Sequence, residues 1–141
     1  MAAAEEEPAE DRGLDLLPTE DVETLTARGL KAGAKIVGNE IFLVIESYPV
    51  PEGYDHDTTN VLLRLPRQWP DGRPDMFWTE PHLKVVATSN WPNASGHLMN
   101  LDGRQWQRWS RHYKDRWKPG IDRLVNLLTI VRREMNKDVG R

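Results

Sequence analysis

The chain has 141 residues, which suits one domain, since domains cluster near about 100–150 residues. It contains no cysteine, and this excludes disulfides, thiolate metal sites and cysteine nucleophiles. Its net charge of −3 conceals two unlike halves: residues 1–102 carry 8 basic and 18 acidic side chains, whereas residues 103–141 carry 11 and 4. We expect the halves to neutralise each other within the fold; the alternative is a basic face for an acidic partner.

Residues 1–17 are acidic and alanine-rich, and they hold almost no large apolar side chain before Leu14. A segment of this composition cannot bury enough apolar surface to offset the entropy lost on ordering. We therefore predict a disordered acidic tail over residues 1–17. The chain has no apolar run of about 20 residues, and its first residues lack the basic and apolar regions of a signal peptide, so we expect a cytoplasmic protein that does not enter a membrane.

A short helix and a β-hairpin are predicted next. Thr19 is the expected N-cap of a helix over residues 19–28, because carboxylates fill the first turn and Gly29 can end the helix. Two short apolar runs separated by a Gly-Asn pair then predict a hairpin with a two-residue turn, its strands lying at residues 35–37 and 40–45.

Two further strands are predicted around a proline-rich turn. Apolar side chains alternate along residues 61–65, which indicates a strand with one buried face. Pro66 ends that strand because proline cannot donate to a β-ladder. Residues 69–74 form a turn fixed by two prolines, and residues 76–78 begin the next strand. The order thus far is one helix followed by four strands.

The remainder of the chain combines a long irregular segment with helical patterns. Residues 79–103 show no periodicity and are predicted to form a crossing loop, which at this length is usually functional. A stripe of apolar side chains predicts a long helix over residues 120–137, with residues 138–141 as a tail. Aromatic residues at i, i+3 and i+7 predict a shorter helix over residues 103–113; they are Trp106, Trp109 and Tyr113.

This order of elements resembles the ubiquitin-conjugating (UBC) fold, in which a strand ending in proline is followed by an aromatic-proline loop. The Trp-x-Pro-Gly at 117–120 before an apolar helix is similar to a motif of conjugating enzymes. The sequences at 74–78 and 106–113 more closely resemble a prokaryotic UBC-like family found with bacterial ubiquitin-like modifiers, activating enzymes and peptidases. The resemblance implies an α+β UBC-like domain over residues 18–137: a short N-terminal helix, a four-stranded antiparallel meander, a long crossing loop, and C-terminal helices packed on the sheet.

The chain departs from the conjugating-enzyme pattern at the catalytic position. That family places a His-Pro-Asn tripeptide before its catalytic cysteine, and here residues 91–93 are Trp-Pro-Asn. The alignment puts the nucleophile within residues 98–101, which are Leu, Met, Asn and Leu. Thioester chemistry requires a nucleophile that is also a good leaving group, as a thiolate is. We therefore expect a non-catalytic protein; the alternative is a cysteine replaced at a nearby position, for which Ala94 and Ser95 are the nearest candidates.

The resemblance also implies two partners. The crossing region is expected to bind a ubiquitin-like modifier, with His97, Arg104 and Arg108 meeting the carboxylate that ends its tail. The first helix is expected to dock an activating-enzyme-like protein through Glu20, Asp21 and Glu23. The full set predicted to contact the modifier is Trp91, Asn93, His97, Arg104, Trp106, Arg108 and His112.

Two other functions are consistent with the sequence. His97 carries an imidazole, the side chain that most often acts as a general base, so an active transferase or hydrolase using His97, or a nucleophile lent by a partner, is the first alternative. A nucleic-acid-binding module is the second, because residues 104–118 interleave basic and tryptophan side chains; the acidic charge of the whole chain disfavours it. The four histidines match no metal-ligand spacing, and we expect neither a metal nor a cofactor.

Overall fold

The computed structural model describes residues 13–113 and 116–141. Within them one antiparallel sheet of six strands, in the order β1-β2-β3-β4-β6-β5, packs with two α-helices. The α+β class is therefore confirmed. The elements in chain order are a 3-10 helix at Gly13–Leu16, α1 at Thr19–Ala27, β1 at Lys31–Val37, β2 at Glu40–Pro49, β3 at Thr58–Leu65, β4 at Phe77–Glu80, β5 at His97–Leu101, β6 at Arg104–Trp109 and α2 at Leu124–Asp138.

The first four strands form the predicted meander. The β1–β2 hairpin turns at Gly38 and Asn39, so that Val37 pairs with Glu40. Strand β3 ends at Leu65, immediately before Pro66, as a residue without an N–H requires. Strand β4 pairs with β3 over a short register that places Leu62 opposite Trp78.

The strand count and the helix predicted over residues 103–113 were wrong. Residues 97–109 instead form a second hairpin, β5–β6, whose turn at Asp102 and Gly103 has φ values of 54° and 75°. Two positive φ angles are what a type I′ turn requires, and Asp-Gly is a common pair for it. In a strand, side chains three residues apart face opposite ways. Trp106 and Trp109 accordingly belong to two separate clusters of buried side chains.

The sheet has two unlike faces. The inner face packs beneath α1 and α2 in the main core, where Leu43, Phe77 and Trp109 contribute fully buried side chains. Burial of each such side chain stabilises the fold by roughly 1.5–3 kcal/mol. The outer face carries a smaller buried cluster, which consists of Phe42, Leu62, Trp78 and Trp106.

The C-terminal helix is shorter than predicted. It begins at Leu124, where the amide N–H of Arg123 donates to Asn126 Oδ1 at 2.8 Å. Ile121, which the sequence placed in the apolar stripe, precedes the helix and is 71% exposed. Within the described residues α2 is the one C-terminal α-helix. The predicted tail is incorporated in part, because Asp138 ends α2 and Arg141 forms an ion pair with Glu52.

The predicted N-terminal tail was too long. Residues 13–16 form a 3-10 helix and Leu17 is buried in the main core, so the prediction of disorder is wrong for residues 13–17; residues 1–12 lie outside the described part. Thr19 is the first helical residue rather than the N-cap, and Pro18 occupies the cap position without a side-chain hydrogen bond. Gly29 follows the helix with a φ of 65°, as expected for a residue that ends one.

Candidate functional site

The crossing segment, residues 81–96, joins β4 to β5 and is held in place by the side chain of Gln107. This buried amide on β6 accepts hydrogen bonds at Oε1 from the Leu83 N–H and the Thr79 hydroxyl, each over 2.8 Å. Its Nε2 donates to the Leu83 carbonyl at 3.0 Å and to Ser95 Oγ at 3.4 Å. One side chain therefore fixes both the start and the end of the segment.

Arg111 provides a second anchor. Its Nη1 donates to the Asn93 carbonyl at 2.9 Å, and its Nε and Nη2 contact Glu134 and Asp138 of α2, each at 2.9 Å. Burial alone would raise the pKa of Glu134, but hydrogen bonds from Arg116 and Lys137, together with their charges, hold that pKa below its usual range. The crossing segment is thus tied to α2 through a charged, buried network.

Neither Ala94 nor Ser95 presents a reactive group. Ser95 is 2% exposed, and its hydroxyl donates to the Pro92 carbonyl at 2.6 Å. Ala94 has a φ of 53°, and its carbonyl accepts a hydrogen bond from the Ser110 N–H at 3.0 Å. These two positions serve to shape the end of the crossing segment.

The positions aligned with the missing nucleophile lie on β5. Residues 98–101 are part of a strand at the edge of the sheet, which pairs with β6 on one side alone in the described part of the chain. An edge strand presents a row of unpaired N–H and C=O groups, on which another extended chain can form a further strand. Leu98 is 46% exposed on this edge. The site therefore offers backbone pairing and apolar surface at the position where conjugating enzymes carry their catalytic cysteine.

Three of the predicted basic residues share the outer face at this edge. His97 of β5 lies directly opposite Arg108 of β6, and Leu101 lies opposite Arg104; opposed residues in an antiparallel pair project to the same face. Trp106, between the two arginines on β6, is 1% exposed. Its ring belongs to the outer cluster and is not available as a direct contact, which corrects its place in the predicted binding set.

Arg108 carries one of the buried donors of this face that lack a partner in the described structure, and Trp78 Nε1 is another. The Nε of Arg108 is buried and has no hydrogen-bond partner among the described residues. A buried donor without an acceptor is unfavourable by roughly 1–3 kcal/mol. Arg104 differs, because its guanidinium lies 3.7 Å from Glu80 and 5.7 Å from the centre of the Trp106 ring. The Arg108 guanidinium is half-buried and forms no ion pair with a described residue, so its terminal N–H groups and the exposed His97 are the donors free to meet an incoming acceptor.

The remaining predicted contacts lie on loops. Trp91 is 38% exposed and makes an edge-to-face contact with His82 at 5.1 Å. Asn93 has an exposed side chain, although its carbonyl is occupied by Arg111. His112 lies beyond the end of β6, where its Nδ1 is 2.9 Å from the carboxylate of Asp75. No described contact joins these loop residues to His97 and Arg108.

The predicted docking set on α1 contains one residue that is not at the surface. Asp21 is fully buried, and its carboxylate accepts hydrogen bonds from Trp69 Nε1 and the Leu124 N–H. Its prediction as a docking residue was wrong. Glu20 and Glu23 are exposed, and Glu20 lies 3.8 Å from Arg123.

The basic aromatic segment has little free surface. Trp106, Trp109 and Trp117 are between 0% and 4% exposed, and Arg111 and Arg116 pair with Glu134; Lys114 lies outside the described residues. In that described part, the His, Asp and Glu side chains form no group of three suited to hold a metal ion. Neither α1 nor α2 is long and apolar enough to cross a membrane.

A family model described as Prokaryotic E2 family E covers residues 17–138, which includes every strand of the sheet and both α-helices. No curated protein and no solved structure matches the chain.

Proposed function

Because the chain belongs to prokaryotic E2 family E, we propose that it is a non-catalytic, conjugating-enzyme-like protein that binds a ubiquitin-like modifier at the edge formed by β5 and β6. Family membership makes it an E2-like protein of the ubiquitin-like pathways. The observation that carries the finer proposal is the half-buried guanidinium of Arg108, which has no ion-pair partner among the described residues and lies on β6 directly opposite the exposed His97 of the edge strand β5.

The geometry of this edge suits the tail of a modifier. Such a tail is an extended peptide that ends in a carboxylate, so it needs backbone partners along its length and donors at its end. The free edge of β5 supplies backbone N–H and C=O groups. Arg108 supplies a charge-assisted donor, and His97 adds a second one when its ring is protonated.

Thioester formation does not fit the side chains at this site. The chain has no cysteine, and residues 98–101 supply no thiol, hydroxyl, amine or carboxylate. Ser95 is buried and engaged by Pro92. We therefore assign modifier recognition, without acyl transfer, to this edge.

The catalytic alternative receives no support from the arrangement of the histidines. A general base is normally oriented by a third group, and His97 has no carboxylate partner among the described residues. The His–Asp pair of the region is His112 with Asp75, and no described contact links it to β5. The nucleic-acid alternative is also disfavoured, because bases cannot stack on tryptophan rings that are buried in the fold.

The exposed acidic side chains of α1 remain the proposed surface for an activating-enzyme-like partner. Glu20 and Glu23 are both exposed on this helix, whereas Asp21 is excluded by its burial. Reversing Glu20 and Glu23 to lysine tests this surface by gel filtration of the complex. An undiminished complex refutes the assignment.

Calorimetry tests the modifier site. The titrant is the ubiquitin-like protein encoded nearest to this chain in its genome. The variants are His97→Ala and Arg108→Met, the latter keeping an apolar stem opposite Trp78 in the sheet. Each is expected to weaken binding by about tenfold or more, since charge-assisted hydrogen bonds contribute roughly 1.5–3 kcal/mol. Arg64→Met is the matched control, because Arg64 lies over the Trp78 ring on β3 of the same face. Unchanged affinity in both site variants refutes the proposed site.

A further inference from the structure

A second basic site lies away from the β5–β6 edge. The residues that follow α1, the last residues of β2, one side of α2 and Arg141 enclose a groove of about 490 Å³. This volume falls within the range of about 300–1,000 Å³ that is usual for small-molecule sites. The groove is not adjacent to the edge strand β5, because strands β3, β4 and β6 lie between β2 and β5 in the sheet. The polar side chains that line the groove include Arg28, Arg132, Arg133, Arg141, Tyr48 and Asn136.

The groove has a strong excess of positive charge. No acidic side chain lines it in the part of the chain that the structure describes. Arg28 and Arg133 form no ion pair with a described residue. Arg132 donates through Nη1 to the Pro49 carbonyl at 2.6 Å, and Arg141 contacts the exposed carboxylate of Glu52 at 3.1 Å. Two guanidinium groups are therefore free, and the other two keep donors to spare.

The helix ends account for only part of this charge, because Arg28 is the C-cap of α1. Cations are stabilised near a helix C-terminus, but the effect falls off within the last turn. Lys137 is the basic residue in the last turn of α2, whereas Arg132 and Arg133 lie before that turn. Like charges placed around one groove repel each other. In the described structure no acidic side chain lines the groove to offset this repulsion.

Tyr48 adds a neutral donor at the base of the groove. The side chain is 5% exposed, and burial raises the pKa of its hydroxyl, although the charges of Arg132 and Arg28 oppose that shift. The phenol therefore keeps its proton at neutral pH. A protonated hydroxyl and an amide beside four guanidinium groups form a wall of hydrogen-bond donors.

We propose that this groove binds a compact ligand with at least two negative charges, of the phosphate or diphosphate class. The planar guanidinium fork matches phosphate oxygens in bidentate pairs. A phosphate group concentrates its charge in one small unit, which suits several guanidinium groups that line one groove. An extended acidic peptide spreads its carboxylates along the chain, at about 3.3 Å per residue. The site is independent of the modifier-binding edge, and its test does not depend on that function.

Titration of the full chain with inorganic pyrophosphate tests the proposal, with calorimetry as the readout. Saturable one-to-one binding is expected, and Arg28→Gln and Arg133→Gln are each expected to weaken it by about tenfold. The control is Arg73→Gln, which removes the same charge from an exposed arginine elsewhere and should leave the affinity unchanged. All three sites are exposed, so the fold should survive, and equal melting temperatures check this.

Parallel titrations distinguish the possible ligands. Adenosine diphosphate bound as well as pyrophosphate, or more tightly, supports the proposal and shows whether a nucleoside adds contacts. Citrate bound as tightly as pyrophosphate overturns the phosphate class. Absence of saturable binding at millimolar pyrophosphate, or an equal loss of affinity in Arg73→Gln, overturns the site.

Discussion

Asp21 of α1 accepts a hydrogen bond at Oδ2 from Trp69 Nε1 over 2.8 Å. Its Oδ1 accepts a second hydrogen bond from the Leu124 N–H over 3.0 Å. This buried carboxylate therefore joins the first helix, the turn after β3 and the first residue of α2. The hydrogen bond from Leu124 satisfies one of the N–H groups that α2 leaves unpaired at its N-terminus. A residue that the sequence placed on a docking surface is instead a structural connection of the core.

Asp21→Ala is expected to lower the free energy of unfolding by about 2–4 kcal/mol, because it removes a helix cap and leaves the buried Trp69 N–H without a partner. Urea denaturation measures the change. Glu23→Ala is the control on the exposed side of α1 and should change stability by less than about 0.5 kcal/mol. Equal effects of the two substitutions contradict the structural role of Asp21.

Gln107→Leu keeps the approximate volume of the side chain but removes all its hydrogen bonds. The Leu83 N–H and carbonyl then lose their partner, so we expect a loss of about 2–4 kcal/mol. We also expect faster amide exchange at Leu83, since the crossing segment opens more readily. Hydrogen-exchange mass spectrometry and denaturation measure both effects. The control is Gln105→Leu, since Gln105 projects from the same face of β6 but is exposed, and similar exchange in both variants refutes the anchoring role.

Arg111→Met should destabilise the fold by about 3–5 kcal/mol, because it leaves Glu134 buried with fewer compensating charges. The double variant Arg111→Met with Glu134→Met should lose less than the sum of the two single variants, since the buried Glu134 carboxylate is removed together with its partner. Chemical denaturation of the four proteins of this cycle gives the coupling. If the changes in the free energy of unfolding of the two single variants add up to that of the double variant, the pair is not coupled.

The buried hydroxyl of Tyr113 is expected to lower the stability of the fold at alkaline pH. Its hydroxyl is buried with no partner in the described residues, and burial raises the pKa of the phenol well above the usual value of about 10. The unfolded chain therefore releases its proton first, and the stability from this group, fully present below pH ~10, is lost as pH rises above that value. Tyr113→Phe should cost little at pH 7 and flatten this decline. If the free energy of unfolding falls equally with rising pH in the variant and in the original chain, the assignment is contradicted.

The strands and helices with a single clear period were predicted from the sequence, whereas the β5–β6 hairpin was missed although its turn carried a signal. Trp106, Trp109 and Tyr113 fit a helical spacing, but in the structure that segment is a strand followed by a loop. The Asp-Gly pair at 102–103 was the signal that favoured a hairpin.

The anchors of the site had no local signal at all. Arg111 and Glu134 are separated by 23 residues, and Asp21 and Leu124 by 103. Buried pairs of this kind form only once distant elements pack, because charged side chains are otherwise most stable in water. By contrast, His97 and Arg108 were chosen from the family resemblance, and their shared face follows from a register that only the structure supplies.

One measurement tests the central claim, recognition of a modifier without a thioester. The chain is incubated with ATP, its activating enzyme and the ubiquitin-like protein, and the gel-filtration fractions are analysed by intact mass spectrometry. We predict that the modifier co-elutes with a chain whose mass is unchanged at 16.3 kDa. A covalent adduct on this chain, removed by reducing agent or hydroxylamine, contradicts the claim and establishes the catalytic alternative.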